Sequence, residues 1–302
     1  MNSITVVVSA YNEEAKLGQC LASVAWADEI VVVDNSSTDN TVKIAQKYTT
    51  KVYHQPNNPM LNVNKNYGFS KATGNWILNL DADERIPSDL AKQIQTVTRK
   101  KSAVVGYWIP RKNIIFGKWI THGLWWPDKQ LRLFKTGTGK FPCKHVHEYL
   151  EVDGQTAQLS VPFIHYNYET ISQYLRKMDT IYSESEITKH KLSGYQLSWH
   201  DAIRFPVSDF VKVFFAQEGY KDGLHGLVLS LLQGFYSFIV FAKLWESQKF
   251  PERDISLTAV NSELDHAAKE VHWWELTAAL KEAPSWLKRL WIRLIRRYAT
   301  KN

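Results

Sequence analysis

Four short strand-like segments in the first hundred residues, three of them largely apolar, constrain the fold more than any other feature of this chain. They lie at residues 4–9, 29–34, 51–55 and 76–80. Continuous apolar runs of this kind are typical of strands that are covered on both faces. Between them, apolar residues recur at helical spacing, as Leu17, Leu21 and Val24 do. Strands that alternate with helices predict an α/β fold with a mostly parallel sheet and flanking helices.

Acidic and polar residues follow three of these segments directly. They form the stretches 11–14, 34–35 and 81–84. The carboxyl ends of parallel strands meet at one edge of a sheet, where the ligands of open α/β folds bind. No G-x-G-x-x-G or G-x-x-x-x-G-K-[ST] sequence follows a strand, so the chain lacks a dinucleotide fingerprint and a P-loop. Because an edge rich in carboxylates repels phosphate, the sequence predicts a phosphate ligand that is bridged by a metal ion.

Asp81 and Asp83 are the best candidates for binding that metal. In an extended segment, two residues at this spacing share one face, and Ala82 points away from them. Two carboxylates on one face suit Mg²⁺ or Mn²⁺, which prefer hard oxygen ligands. The alternative is that so short a pattern occurs by chance, as it does in many loops.

Positive charge is concentrated in two stretches of the chain. Residues 99–144 contain 11 basic residues and one acid, and residues 287–302 contain six basic residues and no acid. A general nucleic-acid-binding surface would be spread differently, so we expect no nucleic-acid partner. The first stretch favours an anionic acceptor molecule, although a charge run is more often a solvated face. Two cysteines cannot form a disulfide framework, which fits a reducing compartment.

The C-terminal third predicts helices and contact with a membrane. Residues 223–245 are long and apolar enough to span a bilayer, but His225, Gln233 and Lys243 interrupt them. A helix that packs on the catalytic domain, or that dips into the membrane interface, is the alternative. Near the end of the chain, apolar residues recur at i, i+4 spacing and form one helix face: Trp286, Leu287, Leu290, Trp291, Leu294, Ile295 and Tyr298.

Basic residues occupy the rest of that last helix. A basic amphipathic helix with tryptophans is typical of binding to an anionic membrane surface. The sequence therefore predicts that residues 285–298 contact a membrane surface. The alternative is that the helix docks on the protein's own acidic region at residues 145–286, which has 12 basic and 19 acidic residues.

Four motifs in the first hundred residues resemble glycosyltransferase family 2 in their order and spacing. They are residues 6–14 (VVVSAYNEE), 32–41 (VVDNSSTDNT), 65–68 (KNYG) and 80–83 (LDAD). The resemblance implies a GT-A fold, which is Rossmann-like, and a glycosyl transfer that inverts the anomeric centre. Two further segments, 127–134 (PDKQLRLF) and 146–148 (VHE), resemble the branch that includes lipopolysaccharide-core glucosyltransferases of the WaaE/KdtX type.

The resemblance also implies roles for residues of a nucleotide-sugar site. Tyr11 and Glu13 would line the nucleotide pocket, and Asp34 would contact the uracil or the ribose. Lys65 would lie near the base, where many members of the family have an arginine. The chain departs from the family at Asn35, where many members have a second aspartate.

Two carboxylates would complete the donor side, and a third would perform the chemistry. By resemblance, Asp81 would contact the ribose, and Asp83 would bind Mg²⁺ or Mn²⁺ at the diphosphate. Glu148 lies beyond the nucleotide-binding half, where an acceptor would bind, and it would take the proton from the attacking hydroxyl. The alternative for Glu148 is a surface charge in a strand.

Six further residues are weaker candidates for binding the acceptor: Trp125, Trp126, Asp128, Arg132, His145 and His147. Asp128 and Arg132 are four residues apart and could instead form a structural ion pair. The two histidines could complete the metal site, bind a product phosphate, or be satisfied polar residues in a strand. The two tryptophans could stack on a sugar or cover the core, which is the commoner role.

Three regions and one function follow from these patterns. Residues 1–98 would bind the nucleotide sugar, residues 99–165 the acceptor, and residues 166–302 would form the helical, membrane-associating region. The chain would transfer a sugar, glucose by resemblance, from a UDP-sugar to an anionic lipid-linked saccharide such as the lipopolysaccharide inner core. It would work as a peripheral protein at the cytoplasmic face of a bacterial inner membrane. The alternatives are transfer to polyprenyl phosphate or a peptide, and a non-catalytic scaffold that binds nucleotide sugars.

Overall fold

The computed structural model describes residues 2–58, 60–144, 148–179, 187, 190 and 195–299. The chain divides into two compact units. The first comprises residues 1–119 and 127–167, and the second comprises residues 120–126 and 168–302. The assignment of donor and acceptor halves to residues 1–98 and 99–165 stays a prediction.

The first unit is built on a mixed β-sheet. The strands are β1 (Ile4–Ala10), β2 (Glu29–Asp34), β3 (Val52–His54), β4 (Trp76–Asp81), β5 (Glu84–Arg85), β6 (Val104–Ile115), β7 (Lys118–Trp119), β8 (Asp128–Lys135), β9 (Gly139–Lys140), β10 (Glu151–Val152), β11 (Gln155–Gln158) and β12 (Phe163–Tyr168). The main sheet has the order β3-β2-β1-β4-β8-β6-β12-β5, and β9 pairs with β10 separately. The first four strands are parallel, and β8 then runs antiparallel to both β4 and β6.

Helices cover the sheet and form the second unit. They are α1 (Leu17–Ser23), α2 (Thr41–Ala45), α3 (Leu61–Lys71), α4 (Ser88–Arg99), α5 (Ile171–Lys177), α6 (Asp201–Val211), α7 (Leu224–Ser247), α8 (Leu257–Glu282) and α9 (Trp286–Ala299). Short 3₁₀ turns lie at Gly123–Trp125 and Gly219–Asp222, and a π-helical segment lies at Lys212–Ala216.

The continuous apolar runs of the strands are explained by burial on both sheet faces. Val6 and Val8 of β1 pack in one buried cluster with Leu21 of α1, whereas Val7 packs in a second cluster with Phe69 of α3. Helix α3 lies very close to β1, because a Cβ at Gly68 would come within 2.5 Å of the Val7 side chain. This contact fixes the helix that carries Lys65. The mixed α/β fold with C-terminal helices that the sequence predicts is confirmed.

Helix α7 carries the apolar segment that could span a bilayer. Within the described residues, it is the one helix with the length and composition to cross a membrane, and about a third of its most apolar stretch is buried. Its inner face packs on α6, since a Cβ at Gly234 would lie 2.8 Å from the Pro206 carbonyl oxygen. Leu231 and Phe235 on the outer face are exposed.

Helix α9 docks on α8 along one side only. Ile292 is buried, and Arg296 contacts α8 twice: Nη1 donates to Thr277 Oγ1 at 3.1 Å, and the guanidinium lies 5.3 Å from the centre of the Trp273 ring. The tryptophan face remains outside, with Trp286 71% and Trp291 61% exposed. The contact with α8 agrees with the alternative that this helix docks on the protein's own acidic region, and contact of the exposed face with a membrane stays a prediction.

Candidate active site

A tight turn at the end of β4 forms the centre of the site. The strand ends at Asp81, Ala82 and Asp83 form the turn, and Glu84 begins β5. Glu84 is fully buried, and its Oε2 accepts the backbone N–H of Asp81 at 3.0 Å, which closes the turn. The predicted extended geometry of residues 81–83 is therefore wrong. Because the backbone turns between them, Asp81 and Asp83 meet different partners.

Asp81 is held between two cations from different elements. Lys65 Nζ on α3 lies 2.5 Å from Asp81 Oδ1, and Arg132 Nη2 on β8 lies 2.7 Å from Oδ2. Burial favours the neutral form of Asp81, but the charges of Lys65 and Arg132 outweigh it and hold the carboxyl pKa well below its usual range. Asp81 is thus a carboxylate at neutral pH.

Arg132 also binds the buried Glu84. Its Nη2 lies 2.5 Å from Glu84 Oε1, so one guanidinium neutralises two carboxylates. Burial nevertheless raises the pKa of Glu84, because desolvation and the nearby Asp81 charge outweigh the attraction of Arg132. The prediction that Arg132 binds the acceptor stays a prediction, and its guanidinium pairs with the carboxylates of Asp81 and Glu84.

Asp128 belongs to a different group of residues. Its Oδ2 accepts from Arg111 Nε at 2.6 Å and from Asn113 Nδ2 at 3.1 Å, and its Oδ1 accepts from Gln130 Nε2 at 2.8 Å. Burial opposes ionisation, but Arg111 and the amide donors lower the pKa of Asp128. The alternative of an ion pair with Arg132 is wrong, since four residues along a strand span about 13 Å.

Asp83 faces His165, which the sequence reasoning missed. Strand β12 pairs with β5, and Asp83 Oδ2 lies 3.5 Å from His165 Nε2. His165 Nδ1 lies 2.7 Å from Asn113 Oδ1, and Asn113 donates its Nδ2 to the Asp128 carboxylate. The amide orientation is fixed by that carboxylate, which only accepts, so Nδ1 of His165 must carry the hydrogen.

The hydrogen bonds from Asp128 through Asn113 to His165 determine what Asp83 and His165 can bind between them. In a neutral His165, the lone pair of Nε2 faces the carboxylate of Asp83, and two acceptors cannot bond to each other. A cation between them, a proton or a metal ion, satisfies both. Nitrogen and carboxylate ligands suit Mn²⁺, and the Asn113 contact orients the ring as the outer partners of metal-binding histidines do. The described residues contain no group of three or more His, Cys, Asp and Glu side chains that could hold a metal alone.

The other predicted nucleotide-binding residues lie at the ends of β1 and β2. Asp34 is buried, and its Oδ2 lies 3.1 Å from His54 Nδ1. Tyr11 is exposed, and the backbone N–H of Glu13 donates to Thr41 Oγ1 at 2.8 Å. In the sheet register Asp34 and Asp81 flank β1, which corresponds to about 10 Å at the usual strand spacing.

Asn35, the departure from the family pattern, has a structural role. It is buried, accepts from Asn64 Nδ2 at 2.8 Å, and donates to Ser9 Oγ at 3.0 Å. Asn64 also donates to the Pro56 carbonyl oxygen at 2.9 Å. These bonds tie β1 and β2 to α3.

A cavity of about 310 Å³ is lined by both Asp81 and Glu148. Its walls include Lys65, Asp81, Arg132 and Glu148. The Glu148 carboxylate accepts the backbone N–H of Cys143 at 2.6 Å and that of Lys144. These two N–H donors fix the orientation of the Glu148 side chain.

Of the four remaining acceptor candidates, two are outside the described residues and two belong to the second unit. His145 and His147 are outside the described residues. Trp125 and Trp126 are partly buried in the second unit, whereas Asp81 and Glu148 belong to the first. The residues that sequence reasoning missed are polar and lie in strands: Asn113 and His165, which are buried, and Arg111, which is partly buried. Polar residues inside otherwise apolar strands are the signal that could have identified them. No spacing along the chain shows which of these residues contact each other.

Comparisons with known proteins identify a family for the first part of the chain. Residues 5–149 match the family model "Glycosyl transferase family 2". The lipopolysaccharide core biosynthesis glycosyltransferase LpsC of Rhizobium meliloti is 24% identical over 257 residues, which cover 83% of this chain and 94% of that protein.

Solved structures are similar only at low identity. Crystalline S. aureus TarS, residues 1–349, is 16% identical with a TM-score of 0.42, covering 84% of this chain and 94% of that one. Glucosyl-3-phosphoglycerate synthase of Mycobacterium tuberculosis, crystallised with Mn²⁺ and UDP, is 21% identical with a TM-score of 0.32, covering 37% of this chain and 44% of that one. The resemblance seen in the sequence is confirmed by the family match. The chain therefore contains a glycosyl transferase family 2 domain, formed by residues 5–149.

Proposed function

We propose that this protein transfers a sugar from a UDP-sugar to an anionic lipid-linked saccharide, with a divalent cation and with inversion at the anomeric carbon. The lipopolysaccharide inner core is the acceptor that we favour, and glucose is the sugar. One observation carries the proposal: a cavity is lined both by Asp81, beside the Asp83 and His165 pair, and by Glu148. Donor-binding and base candidates thus surround one space.

The charges around the β4 turn support the proposal that the UDP-sugar binds there. Lys65 and Arg132 neutralise Asp81, so the carboxylate can accept ribose hydroxyls without repelling the diphosphate strongly. Asp83 and His165 would hold Mg²⁺ or Mn²⁺, with diphosphate oxygens and waters completing the coordination. The cation would stabilise the charge that develops on the leaving diphosphate.

Glu148 would serve as the base on the acceptor side. As the acceptor hydroxyl attacks the anomeric carbon, its proton passes to the Glu148 carboxylate, and the bond from that carbon to the UDP oxygen breaks. The N–H groups of Cys143 and Lys144 keep Glu148 oriented before the transfer. Attack from the face opposite to UDP inverts the centre.

The acceptor and the location are inferred from the charged and apolar surfaces. LpsC, whose name refers to lipopolysaccharide core biosynthesis, aligns with most of this chain. Basic residues predominate in residues 99–144, which suits an anionic acceptor. The outward face of α9, with Trp286, Leu287 and Trp291 exposed, would rest on the cytoplasmic face of the inner membrane.

Thermal-shift titration tests the donor half without knowledge of the acceptor. UDP, GDP and CMP are each added with Mn²⁺ or with EDTA to the wild type and to Asp83→Asn. Because ligands that bind the native state raise the Tm, we expect a shift with UDP that needs Mn²⁺ and is lost in the variant. Absence of any nucleotide-dependent shift would refute the donor site.

The acceptor is tested by product formation. Purified protein is incubated with UDP-glucose and Mn²⁺ and with truncated lipopolysaccharide, polyprenyl phosphate or peptide acceptors. We expect transfer to the lipopolysaccharide. Transfer only to the lipid phosphate or to the peptide would replace that acceptor assignment. If the protein binds nucleotide and the Glu148→Gln variant behaves as the wild type does, the protein is a non-catalytic binder.

A further inference from the structure

The amide nitrogen of one buried side chain on the wall of the 310 Å³ cavity has no hydrogen-bond partner among the described residues. Asn62, the second residue of α3, is 5% exposed and lines this cavity. Its Nδ2 is buried and makes no hydrogen bond within the described part of the chain. A buried polar group without a partner costs free energy, and such groups are rare in folded proteins.

The same helix contains a matched residue that behaves differently. Asn64 is also buried, but its Nδ2 donates to Asn35 Oδ1 at 2.8 Å and to the Pro56 carbonyl oxygen at 2.9 Å. Asn64 therefore stabilises the fold through two hydrogen bonds. Asn62 does not stabilise the fold in this way. Leucine would also be the better helix former at its position.

The place of Asn62 in the cavity indicates its ligand. Asp81, proposed to bind the nucleotide, and Glu148, proposed as the base, line the same space. A group that passes from the nucleotide to the acceptor must lie between them. The neighbouring wall residues Arg111, Gln130 and Arg132 are polar, which suits a ligand with several hydroxyls.

We propose that Asn62 hydrogen-bonds a hydroxyl of the transferred sugar and thereby helps to select the donor. The inference rests on the proposed function, since it takes the cavity as the place of the sugar. A hydroxyl donates and accepts, so it matches either atom of the amide. Arg132 Nε, a second buried atom without a partner in the described residues, lines the same cavity.

Stability is the first measurement. Asn62→Leu should unfold at a Tm equal to or above that of the wild type, because it removes an unpaired amide. Asn64→Leu, the matched control, should have a clearly lower Tm, because it leaves Asn35 without its donor. A loss of Tm in Asn62→Leu as large as that in Asn64→Leu contradicts the proposal, since Asn62 would then be structural.

Binding is the second measurement. Dissociation constants with Mn²⁺ are measured for UDP, UDP-glucose, UDP-galactose, UDP-N-acetylglucosamine and UDP-glucuronic acid, in the wild type, Asn62→Leu and Asn62→Ala. Both variants should bind UDP as the wild type does and at least one UDP-sugar about 10-fold more weakly, the effect of one hydrogen bond. Agreement between the two variants excludes steric blocking by leucine.

The outcomes separate this inference from the proposed function. If UDP and every UDP-sugar weaken equally, Asn62 binds the nucleotide and the inference is wrong. If no ligand weakens, Asn62 binds nothing and the inference is wrong as well. If the wild type binds none of the five ligands, the donor assignment itself fails, and the role of Asn62 fails with it.

Discussion

Replacement of Arg132 by methionine tests the electrostatic core of the site. The guanidinium lies between the carboxylates of Asp81 and Glu84, and the Arg132 and Glu84 side chains are 7% and 0% exposed. Methionine keeps much of the side-chain volume but removes the charge. Because breaking a buried ion pair leaves the partner charge uncompensated, we expect a loss of about 3–5 kcal/mol in the free energy of unfolding.

The loss should depend on pH in a defined direction. The pKa of Glu84 is already raised by burial, and it rises further without Arg132. The folded variant then binds a proton that the unfolded chain releases, so its stability falls as pH rises from the ordinary carboxyl range to the raised pKa. Asp81 adds little to this difference, because the stabilisation from its lowered pKa is complete above the ordinary carboxyl range and is lost only in stronger acid. Arg132→Met should therefore lose more stability at pH 8 than at pH 5.

Urea unfolding at both pH values measures this effect in the wild type, Arg132→Met and the double variant Arg132→Met/Glu84→Gln. The double variant should recover at least half of the loss, since it removes both charges of the buried pair. Arg204→Met is the control, because Arg204 also pairs with a glutamate, Glu263, but is half exposed and should matter less. Equal losses at the two pH values, or no recovery in the double variant, would refute the reasoning.

Three further predictions concern the chemistry and the membrane. Glu148→Gln should reduce kcat about 10²–10⁴-fold and leave UDP binding unchanged, because amides are poor bases; turnover within threefold of the wild type would contradict the base role. His165→Ala should abolish the Mn²⁺-dependent part of the UDP thermal shift, and an unchanged metal dependence would exclude His165 as a ligand. Deletion of residues 284–302 should release the protein from anionic vesicles in a flotation assay without abolishing donor hydrolysis, and retained binding would show that α9 is not the anchor.

The sequence predicted the parallel strands well because their signal is local. Strand β2 begins at Glu29 and ends at Asp34, as the apolar run does, and β4 extends the predicted run by one residue. Burial on both faces requires continuous apolar residues, so the pattern and the structure have the same cause. The position of the acidic residues at the strand ends followed from the same reasoning.

The partners of those acidic residues could not be predicted, since they arise from distant parts of the chain. Arg132 is 51 residues from Asp81, and the residue that faces Asp83 comes from β12, a strand that pairs with β5 through two residues. Spacing along the chain suggested Asp128 as a partner of Arg132, but both residues lie on the extended strand β8, where four residues span about 13 Å. The turn at residues 82–83 depends on a hydrogen bond to the buried Glu84, which no local propensity indicates.

Helix α9 shows how packing can decide between two interpretations that a sequence leaves open. The apolar pattern marks one face, yet the buried residue is Ile292, which is outside that pattern and lies on the basic side of the helix. Ile292 and Arg296 dock on α8, so the helix is fixed by its polar side and the tryptophans remain outside. A helix that only completed the protein's own core would bury its tryptophans first, because they remove the most apolar surface from water. The docking of the opposite side therefore favours a second, external apolar partner for this face.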